Sequence, residues 1–334
     1  MLRSPLANCV PAFGRHGSYP LRLGWLAKAH SAVRDDPLVF SHPDAPVVLG
    51  VGKSMVRAIR FWSRAFGLTH DGDRSVGGRL ATVTERGWWL MDEDQGADPY
   101  LEDRATLWLL HWWLLTARPC HVPTFRFLFG HWWMTRFTRG ELRLAVQRAA
   151  VATGWRQPSK SLITRDITAL TAMYACHRPP GGRITTPDLE ELLSNPFRQL
   201  GLLDTDPDHA GMQGQLTASR GSDLMIHRHQ GTTAPQPILA CACLEHAHAT
   251  GVHGPGSITL ARLHTDPLGP GRLMLTDHNA LYTALTWAAN HPLAGHIAIS
   301  ESAVGEDLLT FDAPPLALAK QLLADYYHHP DGPT

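Results

Sequence analysis

The stretch LGVGKSMVRAIRFWSRAFGL, residues 49–68, decides how the N-terminal part of the chain is read. Lys53, Arg57, Arg60 and Arg64 recur at i, i+4, i+7 and i+11, which places them on one face of an α-helix. Met55, Ile59, Trp62 and Phe66 repeat that spacing two residues later, about 200° further round the axis. One face therefore predicts a contact with a core. The other carries four positive charges with no acidic residue among them. Surface helices ordinarily mix signs, so a one-signed face points to phosphate groups, the alternative being a solvated surface helix. Gly50 and Gly52 permit a tight entry and leave backbone amides free at the helix start, an arrangement that suits an anion. The GVGKS segment is not a Walker A loop, because that motif needs a glycine where Val47 stands.

Upstream, LRLGWLAKA (21–29) opens a predicted helix over 25–34 and adds Arg22 and Lys28 as outlying basic residues. Downstream, GRLATVTERGWWL (78–90) leans towards β-structure. Helix, turn, basic helix and then a short β-like stretch is the order of a winged helix-turn-helix. In that geometry the basic helix lies in or along a DNA groove.

The charge distribution agrees. The 334 residues are formally neutral, with 30 Lys+Arg against 30 Asp+Glu. Residues 1–170 nevertheless hold 22 basic against 14 acidic residues, and residues 171–334 hold 8 against 16. This asymmetry suggests that the first half meets a polyanion. A hydrophobic share of 44% with 18% charged residues excludes a disordered chain. No apolar run is long enough to span a bilayer. The N-terminus MLRSPLANCVPAFGRHG has neither a long apolar segment nor a small-residue cleavage site, so no signal peptide is expected. Five cysteines without framework spacing fit a reducing compartment, and the expected location is cytoplasmic.

The middle of the chain reads as helices near 100–116, 123–136, 139–153 and 159–175, the third opened by a Thr138/Glu141 capping box. Pro179 to Gly182 is a breaker, and residues 201–236 read as loop with short strands. Further helices are predicted near 237–249, after a Thr276/Asp277 cap and near 315–327, with IAISES as a strand. The expected fold is mainly α with small β elements. The expected division is a winged-helix-like DNA-binding domain over 1–97, a helical middle domain over 98–200 and a mixed C-terminal domain over 201–334.

Asp92, Glu93, Asp94, Asp98, Glu102 and Asp103 precede the apolar run LWLLHWWLL. Carboxylates gathered there complement the positive end of a helix. The functional alternative is a Mg²⁺ site, with Asp98 and Glu102 sharing the ion if the helix starts by Pro99. His111 lies nine residues past Glu102, roughly on the opposite face, and reads as a hydrogen-bonded core residue unless it assists catalysis. Asp166 is either a second acid/base helper or a salt-bridging residue beside Arg165. Trp108, Trp112, Trp113, Trp132, Trp133 and Trp155 are core at helical spacing or platforms on which bases stack. Arg118, Arg126, Arg136, Arg139, Arg143, Arg148, Arg156, Lys160 and Arg165 extend the basic character.

Cys241, Cys243, Glu245, His246, His248 and His253 do not have zinc spacing, and a helix would scatter them. Asp204, Asp206 and Asp208 lack the glycine and twelfth-position glutamate of a calcium loop. His227/His229 and His328/His329 are chance pairs in a chain with 20 histidines. Hydrolase, zincin and dinucleotide motifs are missing.

The segments LRLGWLAKA (21–29), LGVGKSMVRAIRFW (49–62), DPYLEDRATLWLLHW (98–112) and PGRLML (270–275), in that order, resemble the SspB-like family. This is a bacterial domain-of-unknown-function family of DNA phosphorothioation and phage-defence operons. The resemblance runs over roughly residues 13–328 and is loosest at 201–235. It implies a cytoplasmic DNA-nicking endonuclease using Mg²⁺ or Mn²⁺. It also implies operon partners: a cysteine desulfurase, an ATPase and a protein similar to phosphoadenosine-phosphosulfate reductases. Within that reading, Asp98 and Glu102 are the candidate metal ligands, with His111 or Asp166 as helpers. Lys53, Arg57, Arg60 and Arg64 hold DNA phosphates, with Arg22 and Lys28 at the edge. Tyr100 is an alternative covalent nucleophile. The alternative reading is a non-catalytic DNA-binding subunit that positions the sulfur-transfer machinery. A homodimer is compatible with either.

Overall fold

In the computed structural model, which describes residues 4–75, 78–176, 194–206, 223–226 and 234–328, the basic stretch forms helix α3, Lys53–Ala65. Ile59, Trp62 and Phe66 have no exposed surface, and each such side chain contributes roughly 1.5–3 kcal/mol through burial. Val56, Ala58, Phe61 and Ala65 are buried too, so well over half of the helix circumference is core. Trp62 Nε1 donates to the Tyr19 carbonyl at 3.0 Å, which satisfies the polar edge of the deepest ring.

Around α3 stand α1 (Trp25–Asp35), the one-turn α2 (Ala45–Leu49) and an antiparallel hairpin of β1 (Thr69–Ser75) and β2 (Gly78–Val83). Gly50 ends α2 at φ 61°, and Val51 and Gly52 lead directly into α3. The Ala81 amide donates to the Pro37 carbonyl at 2.7 Å, tying the hairpin to the segment between α1 and α2. Helices α1 and α3 and a following β-stretch were read from the sequence; the one-turn α2 and strand β1 were not. The β-leaning stretch is only half strand. Thr84 caps the Gly87 amide and starts α4, Glu85–Met91, which takes in Trp88 and Trp89.

The apolar run becomes α5, Arg104–Thr116, buried on every side from Ala105 to Leu115. The predicted helix over 123–136 is instead α6 (Pro123–Arg126), a π-turn to His131 and then strand β3 (Arg136–Phe137). Helix α7, Arg139–Ala152, begins with the capping box: the Glu141 amide donates to Thr138 Oγ1 at 3.1 Å, and the Thr138 amide to Glu141 Oε2 at 2.7 Å. Helix α8 covers Lys160–Tyr174. A four-stranded sheet in the order β3-β6-β5-β4 joins β3 to Asp223–Ile226, Leu203–Asp206 and Ala175–Cys176. Asp204 and Asp206 thus lie on a strand and not in a loop. Asp208, the breaker Pro179–Gly182, the pair His227/His229, His329 and most of 207–233 lie outside the described residues.

The chain divides into two compact units where three segments were expected. One comprises residues 1–128 and 132–227, so that 1–97 and 98–200 fall together; the other comprises 129–131 and 228–334. In the second unit the helices Gln236–Ala249, His278–Asn290 and Pro315–His328 pack together beside an antiparallel sheet ordered β7 (Gly256–Thr259), β9 (Asp307–Phe311), β8 (Ile297–Glu301). Among the described residues no helix is long and apolar enough to cross a membrane.

Candidate nucleic-acid interface

The charged face of α3 is not uniform. At its N-terminal end Gly52 provides no side-chain cap, and no acidic residue stands in the first turn. Lys53 and Arg57 are exposed there. Lys28, on α1, extends its Nζ to the Leu49 carbonyl at 3.2 Å and so lies over the turn that feeds α3. A positive helix end, two exposed cations and a third beside them stand together with no carboxylate paired to them among the described residues, which suits an incoming phosphate. Arg22 is exposed, with its guanidinium 5.9 Å from the Trp25 ring centroid.

The other half of the stripe is occupied. Arg60 Nη2 reaches Asp71 Oδ1 at 2.8 Å, and Arg64 Nη1 reaches Asp71 Oδ2 at 2.7 Å. Arg79 Nη1, from β2, stands 3.8 Å from the same carboxylate. Burial opposes ionisation of Asp71, but the Arg60 hydrogen bond and charge, joined by those of Arg64, outweigh it and hold the carboxyl below its ordinary range. The expectation of four free cations on α3 is thereby corrected to two, because the hairpin returns an acid to the stripe. Three arginines around one carboxylate still leave a net positive patch. Next to it, burial and the Arg64 charge lower the His121 imidazole to about 4, eased only by Asp71, so the ring is neutral at pH 7. Its Nδ1 is buried without a hydrogen-bond partner.

The acidic candidates are spent inside the fold. Asp98 is buried, and its Oδ1 accepts from the Glu102 amide at 2.8 Å. Its Oδ2 accepts from the Asp103 amide at 3.0 Å and from Thr106 Oγ1 at 2.6 Å. Helix α5 starts at Arg104, with Asp103 as its cap, and not by Pro99. Glu102 is exposed, so the shared site drawn from an earlier helix start is not what this geometry builds. Three donors on one carboxylate make Asp98 the clamp of the α5 N-terminus. Asp98 with Glu102 does not fit a Mg²⁺ site, which needs free carboxylate oxygens.

His111 is fully buried, its Nδ1 2.8 Å from the Tyr174 hydroxyl. Asp166 is buried as well and does not pair with Arg165. Its Oδ1 accepts from the Gly14 amide at 2.7 Å and from His16 Nε2 at 3.0 Å, and its Oδ2 from Thr124 Oγ1 at 2.7 Å. It fastens the N-terminal segment and α6 to α8. Tyr100 is 63% exposed in the loop before α5. Trp108, Trp112, Trp113 and Trp132 are core, whereas Trp133 is 75% exposed. Arg126, read as part of the basic surface, is 1% exposed. In the second unit Cys241 and Cys243 are buried, His246 pairs with Asp266 at 3.1 Å, and His248 Nδ1 lies 3.3 Å from His253 Nδ1. No group of three or more His, Cys, Asp or Glu suited to a metal occurs among the described residues.

Asp71, Arg79 and His121 were missed because they reach the stripe across strand pairing and a distant turn, where helical spacing carries no signal.

A model of the family described as "Protein of unknown function (DUF4007)" matches residues 13–327. Two solved structures are similar over nearly the whole chain. A magnesium ion-bound SspB crystal structure has a TM-score of 0.84 and 36% identity, covering 98% of this chain and 91% of its own. Another SspB crystal structure has a TM-score of 0.84 and 35% identity, covering 98% and 92%. No curated protein sequence matches.

Proposed function

The chain belongs to the DUF4007 family, and from that premise and its likeness to SspB we propose that it is a cytoplasmic DNA-binding protein that nicks one strand of DNA in a bacterial phosphorothioation and anti-phage system. One observation carries the DNA half: α3 presents an uncapped N-terminus, with Lys53 and Arg57 on an exposed face that no carboxylate among the described residues neutralises. In this reading α2, the turn and α3 act as a helix-turn-helix and β1–β2 as its wing, with Arg22 and Lys28 flanking the groove. Arg60 and Arg64 support the patch from within their Asp71 pairing and add positive potential. A desulfurase, an ATPase and a phosphoadenosine-phosphosulfate-reductase-like protein are its proposed partners, and a homodimer its proposed assembly.

The nicking half rests on the likeness to SspB, one of whose structures is magnesium-bound. Mg²⁺ or Mn²⁺ is accordingly the proposed cofactor, and it would neutralise charge at phosphorus. Its ligands would lie elsewhere than Asp98 with Glu102. The saturation of Asp98, His111 and Asp166 by internal hydrogen bonds favours a second reading, a non-catalytic subunit that positions the sulfur-transfer machinery on DNA.

Supercoiled plasmid incubated with the purified full chain separates the two. Open-circular product with Mg²⁺ or Mn²⁺ and none with EDTA supports the nickase. A gel shift that persists in EDTA, without cutting at any metal concentration, gives the case to the binding subunit. Absence of both cutting and a shift would overturn the DNA reading.

A further inference from the structure

Three side chains, Cys9, Cys120 and Arg126, take no part in that reading, and among them is a charge that the fold leaves uncompensated. Arg126 is 1% exposed. Its Nε donates to the Leu115 carbonyl at 2.7 Å, its Nη2 to Ala117 at 2.7 Å and its Nη1 to Ala7 at 3.2 Å. Among the described residues no carboxylate pairs with it. A buried guanidinium met only by carbonyl dipoles retains a full charge in a poorly screened place, and the group that best relieves it is an anion.

Two thiols stand beside it. Residues 8–10 and Cys120 pair as a short parallel bridge, with the Cys120 amide donating to Asn8 at 2.8 Å and the Val10 amide to Cys120 at 3.0 Å. Cys9 and Cys120 are thus direct cross-strand neighbours, and the Cys120 thiol donates to the Leu114 carbonyl at 3.7 Å. Cys120 is wholly buried, while Cys9 is partly open to solvent. Burial works against a Cys120 thiolate, but the Cys9 hydrogen bond and the Arg126 charge outweigh it and bring the thiol to about 7. Cys9, which supplies that hydrogen bond and is itself desolvated, is pushed far up. The arrangement is that of two neighbouring thiols beside a buried cation that favours ionisation of Cys120.

We propose that Cys9 and Cys120 form a redox-active dithiol, a modification site for hydrogen peroxide or a peroxide of similar size, that closes reversibly to a disulfide. The Cys120 thiolate attacks one peroxide oxygen, the O–O bond breaks, and hydroxide leaves to take up a proton as water. The Cys9 sulfur then attacks the Cys120 sulfenic acid and forms the S–S bond. The sulfenic oxygen departs with the Cys9 proton and one further proton as a second water. Two thiols are oxidised by two electrons and one peroxide is reduced; a small dithiol reverses the step by exchange. Neighbours across a bridge of this kind have Cα atoms in the range that a disulfide spans.

The test uses the full chain, oxidised with one equivalent of hydrogen peroxide, denatured and alkylated, then mapped by peptide mass. The expected result is a linked Cys9–Cys120 peptide, lost on treatment with dithiothreitol and formed at a rate that rises through about pH 7. In Cys9→Ser the Cys120 sulfur should stop at the sulfenic acid and react with dimedone. In Cys120→Ser the Cys9 thiol should resist the same dose. The proposal is overturned if the wild-type chain forms no such peptide while both thiols remain open to alkylation after unfolding. It also fails if Cys9 alone oxidises as fast as Cys120 alone.

Discussion

Helices α3 and α5 are the same length, 13 residues each, and differ in almost everything that surrounds them. Helix α5 is apolar all round, and its N-terminus is closed by Asp103 and by Asp98, which between them accept four hydrogen bonds. Helix α3 buries one broad face and leaves its N-terminus to a glycine, two exposed cations and the neighbouring Lys28. A helix end closed by the protein's own carboxylates has no further need of an anion. An end left positive and open suits an anion, and in the proposed function that anion is a nucleic-acid phosphate. The contrast also explains why the acidic cluster and the basic stripe, equally conspicuous in the sequence, have different meanings.

Removing the clamp is the hardest blow to the comparison. Asp98→Ala strips three donors of their acceptor at a buried helix start and should cost about 2–4 kcal/mol, read as a lowered urea midpoint. A variant as stable as the wild type, with metal binding lost, would return Asp98 to the role of a ligand and dissolve the contrast with α3.

The second expected effect is on pH. His121 is near 4 in the folded state against an ordinary imidazole value of about 6.5 in the unfolded chain. Below the unfolded value the unfolded chain takes up a proton that the folded one refuses. Stability should therefore fall as pH drops from about 6.5 towards 4 and level off below. His121→Gln should flatten that part of the curve; an unchanged slope would show that the ring beside Arg64 is not held neutral.

Asp71→Asn is smaller in effect and sharpens the split within α3 itself. The folded Asp71 carboxyl is depressed, so its contribution is present above the ordinary carboxylate range and lost as pH falls through the folded value. The variant should lose that acid-side dependence. It should also bind DNA more tightly, because Arg60 and Arg64 are released to join Lys53 and Arg57. Weaker binding would mean that the Asp71 pairing holds the two guanidiniums in their working position.

Much of this fold was legible because its helices carry local signals. The spacing of Ile59, Trp62 and Phe66, the Thr138/Glu141 box and the Asp277 cap are all contained within a few residues of sequence, and the structure has each of them. The short strands were harder. Ala175–Cys176, Leu203–Asp206 and Asp223–Ile226 depend on partners far along the chain and are too brief to show alternation. The candidate interface divides in the same way. Lys53 and Arg57 follow from helical periodicity alone, whereas the loss of Arg60 and Arg64 to Asp71 depends on the fold of a hairpin. Asp98 and Glu102 were misplaced relative to each other because Leu101, at φ 58°, breaks the chain just before α5 and delays the helix to Arg104.

The most direct test of the account measures the salt dependence of duplex DNA binding for the wild-type chain and for Lys53→Ala/Arg57→Ala. If the open end of α3 meets backbone phosphates, the log–log slope should fall by about two units, with a similar loss on unrelated sequences. An unchanged slope would contradict the account and remove α3 from the interface.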